Sequence, residues 1–94
     1  MLTFNVLNLG KYTYRCVLDD TLYFDFIVKQ YSFWYTSLIE VLRNGIGKNV
    51  IDAVKNEKVG IVVSISYISE IGEVWVLILN GIRGEFYTKK VMNV

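Results

Sequence analysis

The sequence predicts an α+β fold: an antiparallel sheet of about six strands in the order βββ-α(α)-βββ, with the helical segment packed on one face. Three observations carry this expectation. Apolar residues occupy every second position through most of the first thirty residues, their spacing becomes that of a helix after Ser32, and alternation returns from Val59 onward. Ninety-four residues are expected to form a single domain over residues 1–94, long enough to bury a core without staples.

The first three strands follow from period-two patterns. Leu2, Phe4 and Val6 alternate with Thr3 and Asn5, then Tyr12, Tyr14, Cys16 and Leu18 with Thr13 and Arg15. Leu22, Phe24, Phe26 and Val28 alternate with Tyr23, Asp25 and Lys29. Short breaks at Asn8-Leu9-Gly10-Lys11 and Asp19-Asp20-Thr21 connect them as a meander. Beyond Ser32, an N-cap residue type, Trp34, Leu38, Val41 and Leu42 fall on one helical face, and Asn44-Gly45 supplies a stop. Val50, Ala53 and Val54 repeat that spacing, which predicts a second, shorter helix from Asn49 to about Asn56, with Gly45-Ile46-Gly47 as the link.

The last third reads as strands again. Val63, Ile65 and Tyr67 alternate with Ser64 and Ser66, and Val74-Trp75-Val76-Leu77-Ile78-Leu79 is apolar throughout, the pattern of a strand covered on both faces. Asn80-Gly81 is a hairpin signal that Ile82-Arg83-Gly84 widens into a longer loop, and Phe86 to Val91 forms the return strand.

One helical layer can cover one sheet face. The remaining face must either curl into a half-barrel or meet another chain, and Trp75, Leu77 and Leu79 are the residues expected at such an interface.

Composition removes most chemistry. No histidine is present, so imidazole ligands and Ser-His or Cys-His pairs are excluded, and one cysteine, Cys16, allows no intramolecular disulfide and no CxxC site. Cys16 alternates with Tyr14 and Leu18 and is expected to face the core. The formal charge is +1, with 10 basic and 9 acidic residues spread along the chain. The longest uncharged run, Val59 to Ser69, is about half of the roughly 20 residues a membrane helix requires. MLTFNVLN lacks the basic and continuous apolar segments of a signal peptide. The expectation is a cytoplasmic protein without membrane contact.

The remaining motifs are weak. Gly45-Ile46-Gly47-Lys48-Asn49 has the look of an anion site, but the spacing is not that of a phosphate loop. Asp19, Asp20 and Asp25, or Glu70 and Glu73, offer oxygen ligands, yet both sets fall at turns, so neither a metal nor a cofactor is predicted. Tyr12, Tyr14, Arg15, Lys89 and Lys90 are candidate nucleic-acid contacts, since aromatic rings stack on bases and cations track phosphates. Such binding would weaken steeply with salt.

Phe, Tyr, Met, Ile, Asn and Lys make up 38 of the 94 residues, whereas Gly, Ala, Arg and Pro make up 11, the bias of an A/T-rich gene. The function expected is that of a non-catalytic protein-protein interaction protein, a homodimeric accessory protein of a virus, a plasmid or an A/T-rich microbe, which binds itself and another protein. The alternative is a nucleic-acid-binding module built on the Tyr-rich strands.

Overall fold

The computed structural model describes residues 4–29 and 37–93. They form one seven-stranded antiparallel sheet in which every strand lies beside its neighbour in sequence, with one short helix between the third and fourth strands. The strands are β1 (Val6–Gly10), β2 (Thr13–Val17), β3 (Leu22–Ile27), β4 (Asn49–Asp52), β5 (Glu57–Ile68), β6 (Glu73–Leu79) and β7 (Phe86–Lys90); the helix is α1 (Leu38–Leu42), continued by a 3-10 turn over Arg43–Gly45.

The expected antiparallel sheet is present, with seven strands instead of about six. The difference lies at Asn49. In place of a second helix, Asn49–Asp52 is β4, held between β3 through Phe24↔Val50 and β5 through Val50↔Gly60. The apolar spacing of Val50, Ala53 and Val54 fits a helix, but turn chemistry at Asp52 prevails. Its Oδ1 accepts the N–H groups of Val54 and Lys55 at 2.9 and 3.2 Å, and Asn56 adopts a φ of 56°. The chain therefore reverses into β5, and Val54 stands 77% exposed. The Lys55 N–H foremost, with that of Val54, holds the Asp52 carboxyl below the usual aspartate range.

The helix also packs differently from a layer across a sheet face. β4 is only four residues long and pairs with β3 at Leu22–Phe24, so β3 and β5 diverge beyond it. The helical segment fills that gap, contacting both strands, with Val41 and Leu42 in the core. Ser37 caps it, its Oγ accepting the Glu40 N–H at 3.4 Å. Ser32 and Trp34, expected in this helix, and Leu2 and Thr3, expected in the first strand, lie outside the described residues.

The sheet curls. Cys16, Leu18, Leu22, Phe24 and Phe26 face one side from β2, the β2–β3 turn and β3, and Val50, Val62, Val74, Val76 and Ile78 meet them from β4, β5 and β6. Burial raises the Cys16 thiol to about 12, so it is protonated and packs as a small apolar group. Beyond β7, Val91 bridges to Leu18 and Asn93 to Phe4. Met92 N–H donates to Val17 O at 3.0 Å, Asp19 N–H to Lys90 O at 2.6 Å and Asn5 N–H to Met92 O at 2.7 Å. The two ends of the sheet thus meet at one corner, and this curl buries most of the apolar strand surface that a single helix cannot cover.

The β1–β2 turn carries strain. Lys11 and Tyr12 have φ of 39° and 68°, left-handed conformations that favour Gly or Asn. Replacing Tyr12 with glycine is expected to raise stability by up to about 1 kcal/mol, read as a higher urea midpoint. A lowered midpoint would mean that the Tyr12 side chain contributes more than its backbone costs.

Candidate functional site

The outward side of β5, β6 and β7 is the candidate surface, and strand register builds it. Alternation along β6 turns Val74, Val76 and Ile78 inward, where they are fully buried, and leaves Trp75, Leu77 and Leu79 half-buried on the outer side. The expectation of a strand covered on both faces is corrected here, because the only described helix lies on the inner side.

Cross-strand partners set the character of each row. Leu79 lies between Ile61 and Phe86, Leu77 between Ser64 and Thr88, and Trp75 between Ser66 and Lys90. The strip is apolar at the Leu79 end, where Phe86 is 61% exposed, and becomes polar toward Trp75. Short serine and threonine side chains flank Leu77 and leave it open to a partner. At the polar end Glu73 organises the surface: its Oε1 accepts from Trp75 Nε1 at 3.2 Å, and its Oε2 lies 3.4 Å from Lys90 Nζ. The indole is thereby fixed in orientation. Past Leu79, Ile82 projects from the loop at 93% exposure, beside a hollow of about 230 Å³ lined by Lys58, Val59, Gly60, Gly81 and Ile82.

Comparison with protein-family models, curated proteins and solved structures finds no match. The surface is therefore read from its own chemistry.

The residues singled out for nucleic acid do not converge. Tyr12 sits in the β1–β2 turn, while Tyr14 turns to the inner side and stacks on Phe26 with ring centroids 6.1 Å apart. Arg15 points outward and is engaged twice. Its Nε and Nη2 donate to the two carboxylate oxygens of Asp25 at 2.8 and 3.1 Å, and its guanidinium carbon lies 3.9 Å from the centre of the Tyr23 ring. The Asp25 hydrogen bond is the main reason that the Arg15 pKa is raised. Lys89 and Lys90 are successive strand residues and face opposite sides; Lys89 pairs with Asp20 and Lys90 with Glu73.

The anion and metal motifs are also absorbed by structure. Gly47 N–H donates to Val62 O at 2.8 Å and Lys48 N–H to Gly45 O at 3.0 Å, so these backbone donors are engaged within the fold. The segment links a helical turn to a strand, whereas the sequence suggests a link between two helices. Asp20, Asp25 and Glu73 each hold a basic side chain, and no cluster of three metal-ligating side chains occurs among the described residues.

Ile61, Phe86 and Glu73 are additions that sequence reading missed as members of this surface. Phe86 was legible in principle. Counting back from the Asn80 loop in antiparallel register places Phe86 opposite Leu79. The β5 side is harder, because a bulge between Val62 and Ser64 shifts the register.

Proposed function

We propose that this chain is a non-catalytic protein-interaction protein that forms a homodimer through the outer face of β5, β6 and β7. The observation that carries the reading is the strip formed by Trp75, Leu77 and Leu79 with Ile61 and Phe86. Its centre is apolar, its flanks are short and polar, and one aromatic anchor is fixed by Glu73, an arrangement that suits protein contact. The engagement of Arg15, Lys89 and Lys90 by carboxylates weighs against a phosphate backbone as partner, since each ion pair would have to be broken first. An accessory role, in which the same strip binds a second kind of protein, suits a chain of this size.

Light scattering at tens of micromolar tests the reading. The protein is expected at twice the monomer mass of 10.9 kDa. Leu77→Ser and Phe86→Glu are each expected to return it to monomer with the far-UV spectrum unchanged. A monomeric parent protein, or variants that remain dimeric, would remove the strip as the dimer contact.

A further inference from the structure

Asn-Gly occurs twice in the chain, at Asn44-Gly45 and Asn80-Gly81. The dipeptide has a chemistry of its own: the glycine nitrogen, unshielded by a side chain, can attack the amide carbon of the preceding asparagine. The fold places the two pairs in opposite settings.

Asn80 follows β6, and its Oδ1 accepts the N–H groups of Ile82 and Arg83 at 2.9 and 3.0 Å. When a nucleophile adds to Cγ, the carbonyl electron pair moves onto Oδ1. Two backbone donors already at hydrogen-bond distance meet the charge there, as the donors of an oxyanion hole do. Gly81 is exposed and lines the hollow beside Ile82, so water and hydroxide reach its nitrogen. Among the described residues no acceptor holds its N–H, and no atom lies within 4 Å of where its β-carbon would stand.

Asn44 is the reverse case. Its Nδ2 donates to Val41 O at 2.9 Å and to Glu40 O at 3.4 Å, which ties the leaving nitrogen to the helix. Gly45 is buried against Phe24, away from solvent.

The geometry points to Asn80 as a site of spontaneous deamidation, and to Asn44 as a site that the fold protects. Hydroxide removes the Gly81 amide proton, and the nitrogen forms a bond to Asn80 Cγ. The Cγ–Nδ2 bond then breaks as Nδ2 takes a proton from water and leaves as ammonia. Water opens the cyclic imide at either carbonyl. One opening gives aspartate and the other isoaspartate, whose backbone is one atom longer; both add a negative charge next to Arg83. The longer backbone falls in the loop where Asn80 N–H donates to Glu85 O at 2.8 Å and Asn80 O accepts from Gly84 N–H at 2.9 Å, the bonds that set Leu79 opposite Phe86. The modification needs no second copy and stands independently of the outer-face contact.

Incubation of the purified protein at mildly alkaline pH, followed by trypsin and mass spectrometry, tests the assignment. Cleavage after Arg43, Lys48, Lys58 and Arg83 puts the two asparagines in separate peptides. Asn80 is expected to convert at least about tenfold faster than Asn44 in the folded protein, and the two at similar rates in urea. Gly81→Ala places a methyl group in open space on backbone outside the left-handed region, so the denaturation midpoint is expected to hold. That methyl group crowds the attacking nitrogen and is expected to slow conversion at Asn80 by about tenfold. Equal rates at the two sites in the folded protein, or an Asn80 rate that Gly81→Ala leaves unchanged, would overturn the assignment.

Discussion

Gly45→Ala is expected to lower the stability of the protein by about 3 kcal/mol, the upper range for overpacking a core. A β-carbon built at Gly45 lies 2.2 Å from Cε2 and 2.6 Å from Cδ2 of Phe24. Neither partner can yield easily. Phe24 is fully buried, its ring lies 5.8 Å from that of Phe26, and Gly45 sits where the helical turn wedges between β3 and β5. The check is a double-mutant cycle by urea denaturation. Phe24→Leu alone costs about 1 kcal/mol or more, and in the Gly45→Ala background it is expected to recover part of the loss, a coupling above about 1 kcal/mol. Additive losses would mean that the turn moves aside without disturbing Phe24.

Removal of residues 91–94 is expected to cost about 4 kcal/mol, a large share of the stability of a domain of this size. Val91 is fully buried against Leu18, and burying a side chain of that kind contributes about 2 kcal/mol. The deletion also leaves Val17 O and Asn5 N–H without Met92, at about 1 kcal/mol each. Val91→Ala, which keeps the backbone bonds, is expected to lose about half as much. The measurement is the denaturation midpoint of both variants. A deletion no worse than Val91→Ala would show that the corner hydrogen bonds contribute nothing net, and that the curl is held by the core alone.

Much of the fold was legible because its elements are local. Period-two alternation located β2, β3 and β5, a continuous apolar run located β6, and Asn80 marked the last hairpin and its return strand β7; the Asn80 Oδ1 accepts the N–H groups of Ile82 and Arg83 at 2.9 and 3.0 Å. The same logic failed at Asn49–Asp52, where four residues are too few for periodicity to separate strand from helix. The Asp52 and Asn56 turn signals were present in the sequence and carried the answer. Of the surface, Trp75, Leu77 and Leu79 were readable as one row of a strand. Phe86 follows by counting across the Asn80 loop, but the neighbours on β5 were not readable, because the bulge at Val63 displaces the β5 register by one residue and pairing across it is a property of the folded sheet.

By itself the sequence determined the antiparallel character of the sheet, the break from strand to helix and back, and the loss of imidazole and disulfide chemistry. These follow from side-chain periodicity and from which residue types are present. Only the tertiary structure decided how the surplus apolar strand surface is divided. Strand twist and the return of Val91–Asn93 to β1 and β2 curl the sheet and bury one side of β6, while Trp75, Leu77 and Leu79 stay on the other. It likewise decided that Arg15, Lys89 and Lys90 meet carboxylates, since their partners are set by cross-strand register and by the placement of the β2–β3 turn. Those distances are fixed by long-range pairing, which no local pattern encodes.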